Sequence, residues 1–289
     1  MTSRIEASRQ AADPQAKSDD KTQPRIELEG VAVTFPSADG EYCAVGDIEM
    51  AVEPGRFVAV IGPTGCGKST ILNSIAGLLT PTEGKVRIDG SLLHGINRQA
   101  SYMFQQDALL PWKTMIENIA LGLEYKGVAR SERTDMARDW IARVGLTNFE
   151  GAYPYQLSGG MRKRASIAQA WIVEPTTLLM DEPFAALDAQ TKQLMAGELL
   201  SLWTDSSKTV LLVTHDLDEA ISLADEVVLL SAGPRSIIVG RYEIDIERPR
   251  DLLEIRSSPR FVDTYRRIWA DLKGEVMKSY DRNFSRPNR

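Results

Sequence analysis

Residues 56–70 read RFVAVIGPTGCGKST, and this stretch decides the fold. Its first six residues are almost wholly apolar and rich in β-branched side chains, which is typical of a strand covered on both faces in a parallel sheet. Residues 62–69 fit the pattern G-x-x-x-x-G-K-[ST], and the run TILNSIAG that follows has helical character. A strand, a glycine-rich turn and a helix N-terminus in this order predict a phosphate-binding loop.

The predicted loop offers three kinds of group to a nucleoside triphosphate. Its glycines let the backbone turn amide N–H groups toward phosphate oxygens. Lys68 is expected to reach the β- and γ-phosphates, and the Ser69 hydroxyl to coordinate Mg²⁺. The loop residues predicted to bind ATP are Gly62, Pro63, Thr64, Gly65, Cys66, Gly67, Lys68, Ser69 and Thr70, although Cys66 and Thr70 also suit simple packing.

A pair of carboxylates follows the next apolar run, Leu178-Leu179-Met180. Asp181 and Glu182 end a predicted buried strand, where a charge without a partner is costly. A magnesium ion supplies that partner: Asp181 is expected to hold it through water, and Glu182 to orient and polarise the attacking water as general base. Alone, an Asp-Glu pair after an apolar run is weak evidence, because a helix-capping or solvated pair also explains it. In the same sheet as a phosphate loop, the metal and base roles are favoured.

Buried strands of the same type are predicted at 177–180, 209–213 and 227–230, with helical stretches between them. This alternation predicts an α/β sheet with crossover helices. Residues from about 108 to 172 contain no such strand and carry apolar side chains at helix spacing, which predicts an inserted helical subdomain.

The remaining patterns lie before the phosphate loop, shortly after it and in the C-terminal part of the chain. Half-buried strands are predicted at 26–35, 47–52 and 85–89. Residues 1–24 lack apolar periodicity and are predicted to form a disordered extension. After about residue 232, IIVG and YEIDI are candidate edge strands, and residues 260–278 form a candidate amphipathic helix.

Bulk composition narrows the classes of function. An apolar fraction of 43% is ordinary for a globular protein, and no stretch approaches the roughly 18 apolar residues of a membrane-spanning helix. Two cysteines do not make a disulfide framework, which fits a reducing compartment. A net charge of −6 argues against a general nucleic-acid binder.

Between the two nucleotide motifs stands Leu157-Ser158-Gly159-Gly160-Met161, just before the helical run RKRASIAQAWIV. Together these motifs resemble the ABC-type ATPases, whose signature is usually LSGGQ, over about residues 26–231. The resemblance implies a P-loop NTPase fold of the ABC type, with an antiparallel β-subdomain and an inserted helical subdomain. It places an ATP-binding domain at 25–250 and a helical tail at 251–289, and implies ATP hydrolysis with ATP and Mg²⁺.

The resemblance also assigns roles to particular residues. Gln105 matches the glutamine that senses Mg²⁺ and contacts a permease, with Gln106 as the adjacent alternative, and His215 matches the histidine at the γ-phosphate. Asp188 matches the acid that communicates between two cassettes. The signature residues Ser158, Gly159 and Gly160 are expected to meet ATP held by Lys68 of a second copy. Phe35 matches the aromatic residue that stacks on adenine, with Tyr42 as its competitor.

Two positions depart from the family pattern: Met161 replaces the usual Gln, and Gln169 stands where Arg is more common. Met161 cannot supply the donor and acceptor of an amide. The helix N-terminus and the Ser158 and Gly160 groups remain for phosphate binding, so we expect hydrolysis to be kept. His94 has no motif context and is expected at the surface.

The segment QQDALLPWKT, residues 105–114, resembles the nitrate/sulfonate/taurine group of bacterial importer ATPases. This resemblance implies a homodimer of cassettes on the cytoplasmic face of the cell membrane, with a separate integral membrane permease and, indirectly, a periplasmic or lipid-anchored solute-binding protein. Leu110 and Trp112 are candidates for a groove that receives a permease helix, or for ordinary core.

The implied cargo is a small anion or a sulfonate, with heterocyclic vitamin precursors as a near alternative. The competing classes are a non-transport ATPase of the same superfamily, acting on nucleic acid or ribosomes, and a metabolic P-loop kinase. No nucleic-acid partner is expected. A kinase accounts for the phosphate loop but not for LSGGM or for His215 in VTHD.

Overall fold

A computed structural model describes residues 23–38, 40–206 and 208–284. Most of the predicted N-terminal extension therefore lies outside the described residues. The strands are β1 Ile26–Ser37, β2 Gly40–Val52, β3 Phe57–Ile61, β4 Glu83–Ile88, β5 Ser91–Leu92, β6 Ala100–Met103, β7 Thr177–Asp181, β8 Thr209–Val213, β9 Glu226–Leu230 and β10 Ile238–Glu243. The α-helices are α1 Lys68–Ala76, α2 Met115–Ile119, α3 Leu121–Tyr125, α4 Arg130–Arg143, α5 Gly159–Trp171, α6 Ala189–Thr204, α7 Leu217–Leu223 and α8 Pro259–Phe284. Short 3₁₀ turns lie at Pro154–Gln156 and Ile255–Ser257.

The central sheet has the order β10-β9-β3-β8-β7-β6. Its strands are parallel except for β10, which pairs with β9 in the antiparallel sense. Strand β3 is buried along its whole length. Because β3, β7 and β8 are parallel neighbours, the loops that follow them meet at one edge of the sheet.

Two apolar cores cover the faces of this sheet. Phe57, Ala59 and Ile61 pack on one side, with residues of α5, α6, α7 and α8. Val58 and Val60 pack on the other side, with α1 and the second sheet. Alternate residues of one strand thus enter different cores, which explains why the strand has almost no polar positions.

The second sheet is antiparallel, with the order β2-β1-β4-β5. It provides an antiparallel β-subdomain beside the parallel sheet, as expected. Register shifts interrupt the pairing of β1 with β2 between Leu28 and Thr34. Beyond these shifts the two strands run on to a hairpin end, which carries Phe35 directly opposite Tyr42.

Helices α2 to α5 have a core of their own. Met115, Ile119, Ile141 and Ala165 are among its fully buried members. No strand interrupts residues 108–172, all of which the structure describes. The predicted run of helices is therefore present, and these helices share a hydrophobic core that is separate from the two cores of the sheet.

Three predictions at the level of elements need correction. Strand β6 was not predicted, because three of its four residues are only partly buried and two are polar or amphipathic, Ser101 and Tyr102. The two candidate edge strands after residue 232 form one strand, β10. The final helix is longer than predicted and begins at Pro259. None of the helices within the described ranges has the length and apolar character needed to cross a bilayer.

Candidate functional site

The glycine loop between β3 and α1 is shaped by close packing against β2. Gly67 precedes α1 with a φ of 88°, and a Cβ built on it would lie 2.3 Å from Val45 Cγ1. A side chain at this position would therefore clash, in addition to the strain of a left-handed backbone. Glycine lets the loop lie directly on β2, with the α1 N-terminus facing outward.

Lys68 curls back over the loop that precedes it. Its Nζ donates hydrogen bonds to the carbonyls of Gly62, at 2.9 Å, and Pro63, at 3.1 Å. Cys66 is fully buried beneath the loop, and its burial raises the pKa of the thiol against the opposing charge of Lys68. Cys66 is therefore a protonated packing group, whereas Lys68 is held at the loop by its two carbonyl contacts.

Ser69 and Asp181 bring the loop and the end of β7 together. Ser69 Oγ donates to Asp181 Oδ1 at 3.0 Å, and Tyr102 Oη approaches Asp181 Oδ2 at 3.4 Å and Asn73 Oδ1 at 3.0 Å. Burial is the main cause that raises the pKa of Asp181, and the charge of Glu182 adds to it, against the hydrogen bonds of Ser69 and Tyr102. A cation beside Asp181 would stabilise the charged carboxylate and so oppose the effect of burial on its pKa.

The donor set fits Mg²⁺. In the described ranges, no three or more His, Cys, Asp or Glu side chains form a group that could hold a metal ion. One carboxylate with a hydroxyl is nevertheless a set that Mg²⁺ uses when phosphate oxygens and waters fill the other positions. Ser69 Oγ and Asp181 Oδ1 are hard oxygen atoms 3.0 Å apart, so the hydroxyl would bind the ion directly and the carboxylate through water.

Glu182 stands at the centre of a three-residue group. Its Oε2 lies 3.2 Å from Gln105 Nε2, which donates, and 3.1 Å from His215 Nδ1. The second distance is a hydrogen bond when Nδ1 carries the ring proton. Glu182 has a φ of 44°, an uncommon conformation for a residue with a side chain, and its N–H donates to Val213 O. Such strain is typical of functional positions.

Lys68, Ser69, Gln105, Glu182 and His215 line one open cavity of about 600 Å³, whereas Asp181 is not part of its lining and reaches the site through Ser69. Its lining consists of Phe35, Tyr42, Ala44, Thr64, Gly65, Gly67, Lys68, Ser69, Thr70, Gln105, Glu182 and His215. Of the predicted loop residues, Gly62, Pro63 and Cys66 are left out of this lining. Phe35 and Tyr42 are 37% and 39% exposed at its rim, so neither is a core residue.

An ionic cluster around the buried Glu219 lies next to His215 along the chain, and no sequence pattern indicated it. Lys192 of α6 reaches Asp216 Oδ2 at 2.6 Å and Glu219 Oε2 at 2.9 Å, and Thr214 Oγ1 donates to the same Glu219 oxygen. Burial is the main cause that raises the pKa of Glu219, while the Lys192 hydrogen bond and charge outweigh burial and lower that of Asp216. The cluster fixes the segment that carries His215.

We expect Lys192→Met to lower the free energy of unfolding by roughly 3–5 kcal/mol, because the buried Glu219 carboxylate would lose its cation while the half-buried Asp216 remains nearby. Urea denaturation of the purified chain measures this change. Lys85→Met removes an exposed lysine and serves as the control. Equal stability of the two variants would show that the cluster does not hold this segment.

Comparisons with known proteins bear on this arrangement. The ABC transporter family model matches residues 45–185. An uncharacterized ABC transporter ATP-binding protein of Methanocaldococcus jannaschii is 45% identical over 269 residues, which cover 92% of this chain and 98% of that protein. The chain belongs to the ABC transporter ATP-binding family.

Two further relatives of this ABC ATPase carry transport names. The nitrate import ATP-binding protein NrtD of Synechococcus elongatus is 39% identical over 90% of this chain and 93% of its own length. The taurine import ATP-binding protein TauB of Rhizobium johnstonii is 43% identical over 86% of this chain and 96% of its own length. The predicted resemblance to the nitrate/sulfonate/taurine group is thereby confirmed.

A solved ATP-binding cassette, described as a dimer in a post-hydrolysis state bound to ADP and phosphate, has the same fold. Its TM-score is 0.69 at 30% identity, over 77% of this chain and all of the cassette. The predicted P-loop NTPase fold of the ABC type is confirmed. As a member of the ABC transporter family, the chain is an ATPase that binds ATP and powers transport.

The signature turn of the ABC ATPase lies outside the nucleotide cavity of its own chain. Ser158 caps α5 by accepting a hydrogen bond from Met161 N at 3.3 Å, and Gly159 and Gly160 form the first turn. Asp188 caps α6 in the same way, through Gln190 N and Thr191 N. Because Gly159 and Gly160 have no side chains, the first turn of α5 carries no bulky group before Met161.

Both departures from the family pattern have local explanations. The Met161 side chain packs against the core of α2 to α5. Gln169 Nε2 donates to Asn118 O at 3.0 Å. His94 is exposed, as expected.

Asn118 is a structural residue that the sequence analysis missed. It is fully buried, and its Oδ1 accepts from Leu110 N at 2.7 Å. Its Nδ2 donates to the carbonyls of Leu110, Lys113 and Thr114, at 3.1, 3.0 and 3.0 Å. One carboxamide therefore closes the turn whose tip carries Trp112, which is 71% exposed.

Gln105 and Gln106 take different places. Gln105 lines the nucleotide cavity with Glu182, whereas Gln106 lines an adjacent groove of about 340 Å³ with Phe104 and Tyr125. This groove lies between β6, the outermost strand of the central sheet, and helices α3 and α5. Leu110 and Trp112 are not part of its lining.

Proposed function

We propose that this ABC ATPase is the nucleotide-binding subunit of a bacterial importer, and that Glu182 is the general base of its hydrolytic step. The observation that carries the proposal is the meeting of Gln105 and His215 on one oxygen of Glu182, beside the Lys68 and Ser69 loop. Two hydrogen bonds fix this carboxylate, and its other oxygen is left to accept a proton from water.

The remaining roles follow from position. Lys68 and the loop amides bind the β- and γ-phosphates, and Ser69, Asp181 and Gln105 form the metal side of the site. Mg²⁺ supplies charge neutralisation at the phosphate oxygens when bound there. His215, which contacts the same Glu182 oxygen as Gln105, is the sensor of the γ-phosphate. Asp181 acts on the metal through water, in keeping with its hydrogen bonds to Ser69 and Tyr102.

Completion of the site requires a second copy of the chain. Ser158, Gly159 and Gly160 begin a helix whose N-terminal amides suit a phosphate group, yet they do not line the cavity of their own chain. A two-fold dimer brings this turn of one copy onto the ATP of the other and generates two identical sites. Asp188, at the start of α6, is the proposed contact between the two sites.

The permease is proposed to dock on the groove between β6 and helices α3 and α5. Phe104 and Tyr125 expose aromatic surface there, at 46% and 83%. An aromatic-lined groove of this kind accepts a short helix of a partner. Residues on both sides of Gln105 in the segment 103–108 line this groove, while Gln105 itself lines the nucleotide cavity. A helix docked in the groove would therefore contact the segment that positions Gln105. The protein then works at the cytoplasmic face of the cell membrane.

We expect Phe35→Ala to weaken ATP binding by roughly 10-fold, because loss of a stacking partner for one base typically costs 1–3 kcal/mol. Phe35 and Tyr42 are direct cross-strand partners at the rim, so Tyr42→Ala is the matched comparison. Titration with a fluorescent ATP analogue measures both. A larger loss in Tyr42→Ala would transfer the adenine contact to that residue.

The transport class is tested by purification from the native membrane. We expect the chain to copurify with a polytopic membrane protein, and its hydrolysis to rise when a solute-loaded binding protein is added to the reconstituted complex. Nitrate, taurine and bicarbonate are the first solutes to test, since relatives named for their transport are 39–43% identical. Stimulation by nucleic acid or ribosomes instead would point to the non-transport class.

A further inference from the structure

The turn from Ser231 to Ser236, which follows β9, supports the phosphate loop from behind. A Cβ built on Gly233 would lie 3.1 Å from Gly65 O and 3.7 Å from Cys66 Cα. One built on Gly62 would lie 3.1 Å from Leu230 O, at the end of β9. The backbone at Gly233 and at Leu230 therefore lies close to the backbone of the phosphate loop.

The same turn also holds the strand that lines the nucleotide cavity. Arg235 N donates to Cys43 O at 2.7 Å, and Ser236 N donates to Ala44 O at 3.2 Å. Gly46 N donates in return to Ser236 O at 2.9 Å. Strand β2 carries both Tyr42 and Ala44 into the cavity. A shift of the turn would thus move two walls of the nucleotide site at once.

Two charged side chains in the last turns of α8, Glu275 and Arg282, hold this turn by hydrogen bonds, and we call these contacts the grip. Glu275, which is buried, accepts a hydrogen bond from Ala232 N at 2.8 Å and one from Lys278 Nζ at 2.6 Å. Arg282 Nη1 donates to the carbonyls of Ala232, at 3.5 Å, and Gly233. The Glu275 carboxylate accepts a hydrogen bond from a backbone N–H of the turn, and the Arg282 guanidinium donates to two of its carbonyls. Both kinds of backbone group therefore have a charged partner.

The apolar residues that dock α8 on the central sheet are different from the two residues of the grip. Phe261, Ile268 and Leu272 are buried in the core that covers the central sheet. These apolar residues precede Glu275 and Arg282 by one to six turns of helix and supply the hydrophobic burial. Loss of a charged contact at the end of α8 therefore leaves the helix docked.

We propose that Glu275 and Arg282 are positioning residues for ATP binding, which act by holding the turn 231–236 against the phosphate loop. The inference rests on ATP binding at the loop described above, and goes beyond it by giving the C-terminal helix a part in that binding. The match to the family model ends at residue 185 and thus does not extend to α8.

The test uses the full 289-residue chain and two arginine variants of α8. Arg282→Met removes the guanidinium contacts to Ala232 O and Gly233 O and leaves the Glu275 contact in place. Arg266→Met removes an exposed arginine of the same helix as the matched control. The Kd for ATP is measured by calorimetry, and hydrogen exchange is followed at the amides of residues 62–68. We expect Arg282→Met to raise the Kd by roughly 5-fold, at the low end of couplings between sites, and to speed exchange at 62–68.

Further variants separate the outcomes. Arg282→Lys keeps a donor and is expected to restore part of the affinity. Lys68→Ala tests the ATP site itself: unchanged ATP binding in that variant would overturn the site and not the grip. Should Arg282→Met match Arg266→Met in Kd and in exchange at 62–68, with only its melting temperature lowered, the end of α8 is merely structural and the proposal is wrong.

Discussion

Glu182→Gln lowers steady-state ATP turnover by roughly 10²- to 10⁴-fold while ATP binding is kept, which is the usual span for a lost general base. The amide oxygen of glutamine still accepts hydrogen bonds from Gln105 and His215, so the geometry of the group is preserved. Only the ability to take a proton from water is lost. Phosphate release and ATP binding, measured on the same preparation, separate the two effects.

A matched control for this variant is Glu247→Gln, since the Glu247 side chain is almost fully exposed. It is expected to hydrolyse ATP at the original rate. With hydrolysis blocked, the Glu182→Gln chain should also accumulate as an ATP-bound dimer in size-exclusion chromatography. Undiminished turnover in Glu182→Gln would remove this residue from the role of base.

The second large effect concerns complementation between two inactive chains. Lys68→Ala destroys the phosphate loop of its own copy, and Ser158→Arg blocks the signature turn that it offers to the other. Each variant alone is expected to be inactive, because every site in its dimer is damaged. In a mixed dimer, the intact loop of one chain meets the intact signature of the other, so one whole site is restored.

Equal mixing makes about half of the dimers mixed, each with one of two sites intact, so activity should return to roughly a quarter of the original. ATPase rate against mixing ratio is the measurement, and it should peak at equal amounts. A control mixture of Lys68→Ala with Glu182→Gln stays near zero, since both changes lie on the same side of the site. Activity that never rises on mixing would argue against a site shared between copies.

Most residues of the site could be predicted from the order of the motifs, because parallel strands end at one edge of a sheet. Ser69, Asp181, Glu182 and His215 each follow a buried strand, so their convergence follows from topology once the strands are recognised. Gln105 follows β6, which was not predicted. Its place in the site came from the family resemblance alone.

Contacts between distant parts of the chain were beyond prediction from sequence. Tyr102 reaches Asp181 across 79 positions, and Lys192 reaches Glu219 across 27. Neither pair has a spacing that sets it apart from ordinary polar residues. The choice between Phe35 and Tyr42 also stayed open for a structural reason, because strand register makes them direct neighbours at the same rim.

The four hydrogen bonds of Asn118 determine which residues of the turn 110–114 can vary. The turn 110–114 keeps its backbone shape through a residue that lies outside it, so the shape does not depend on which side chain occupies the tip. Trp112 is free to be exchanged without disturbing α2 or the nucleotide site. A substitution at Trp112 therefore changes the outward surface of this turn and leaves in place the backbone that Asn118 holds.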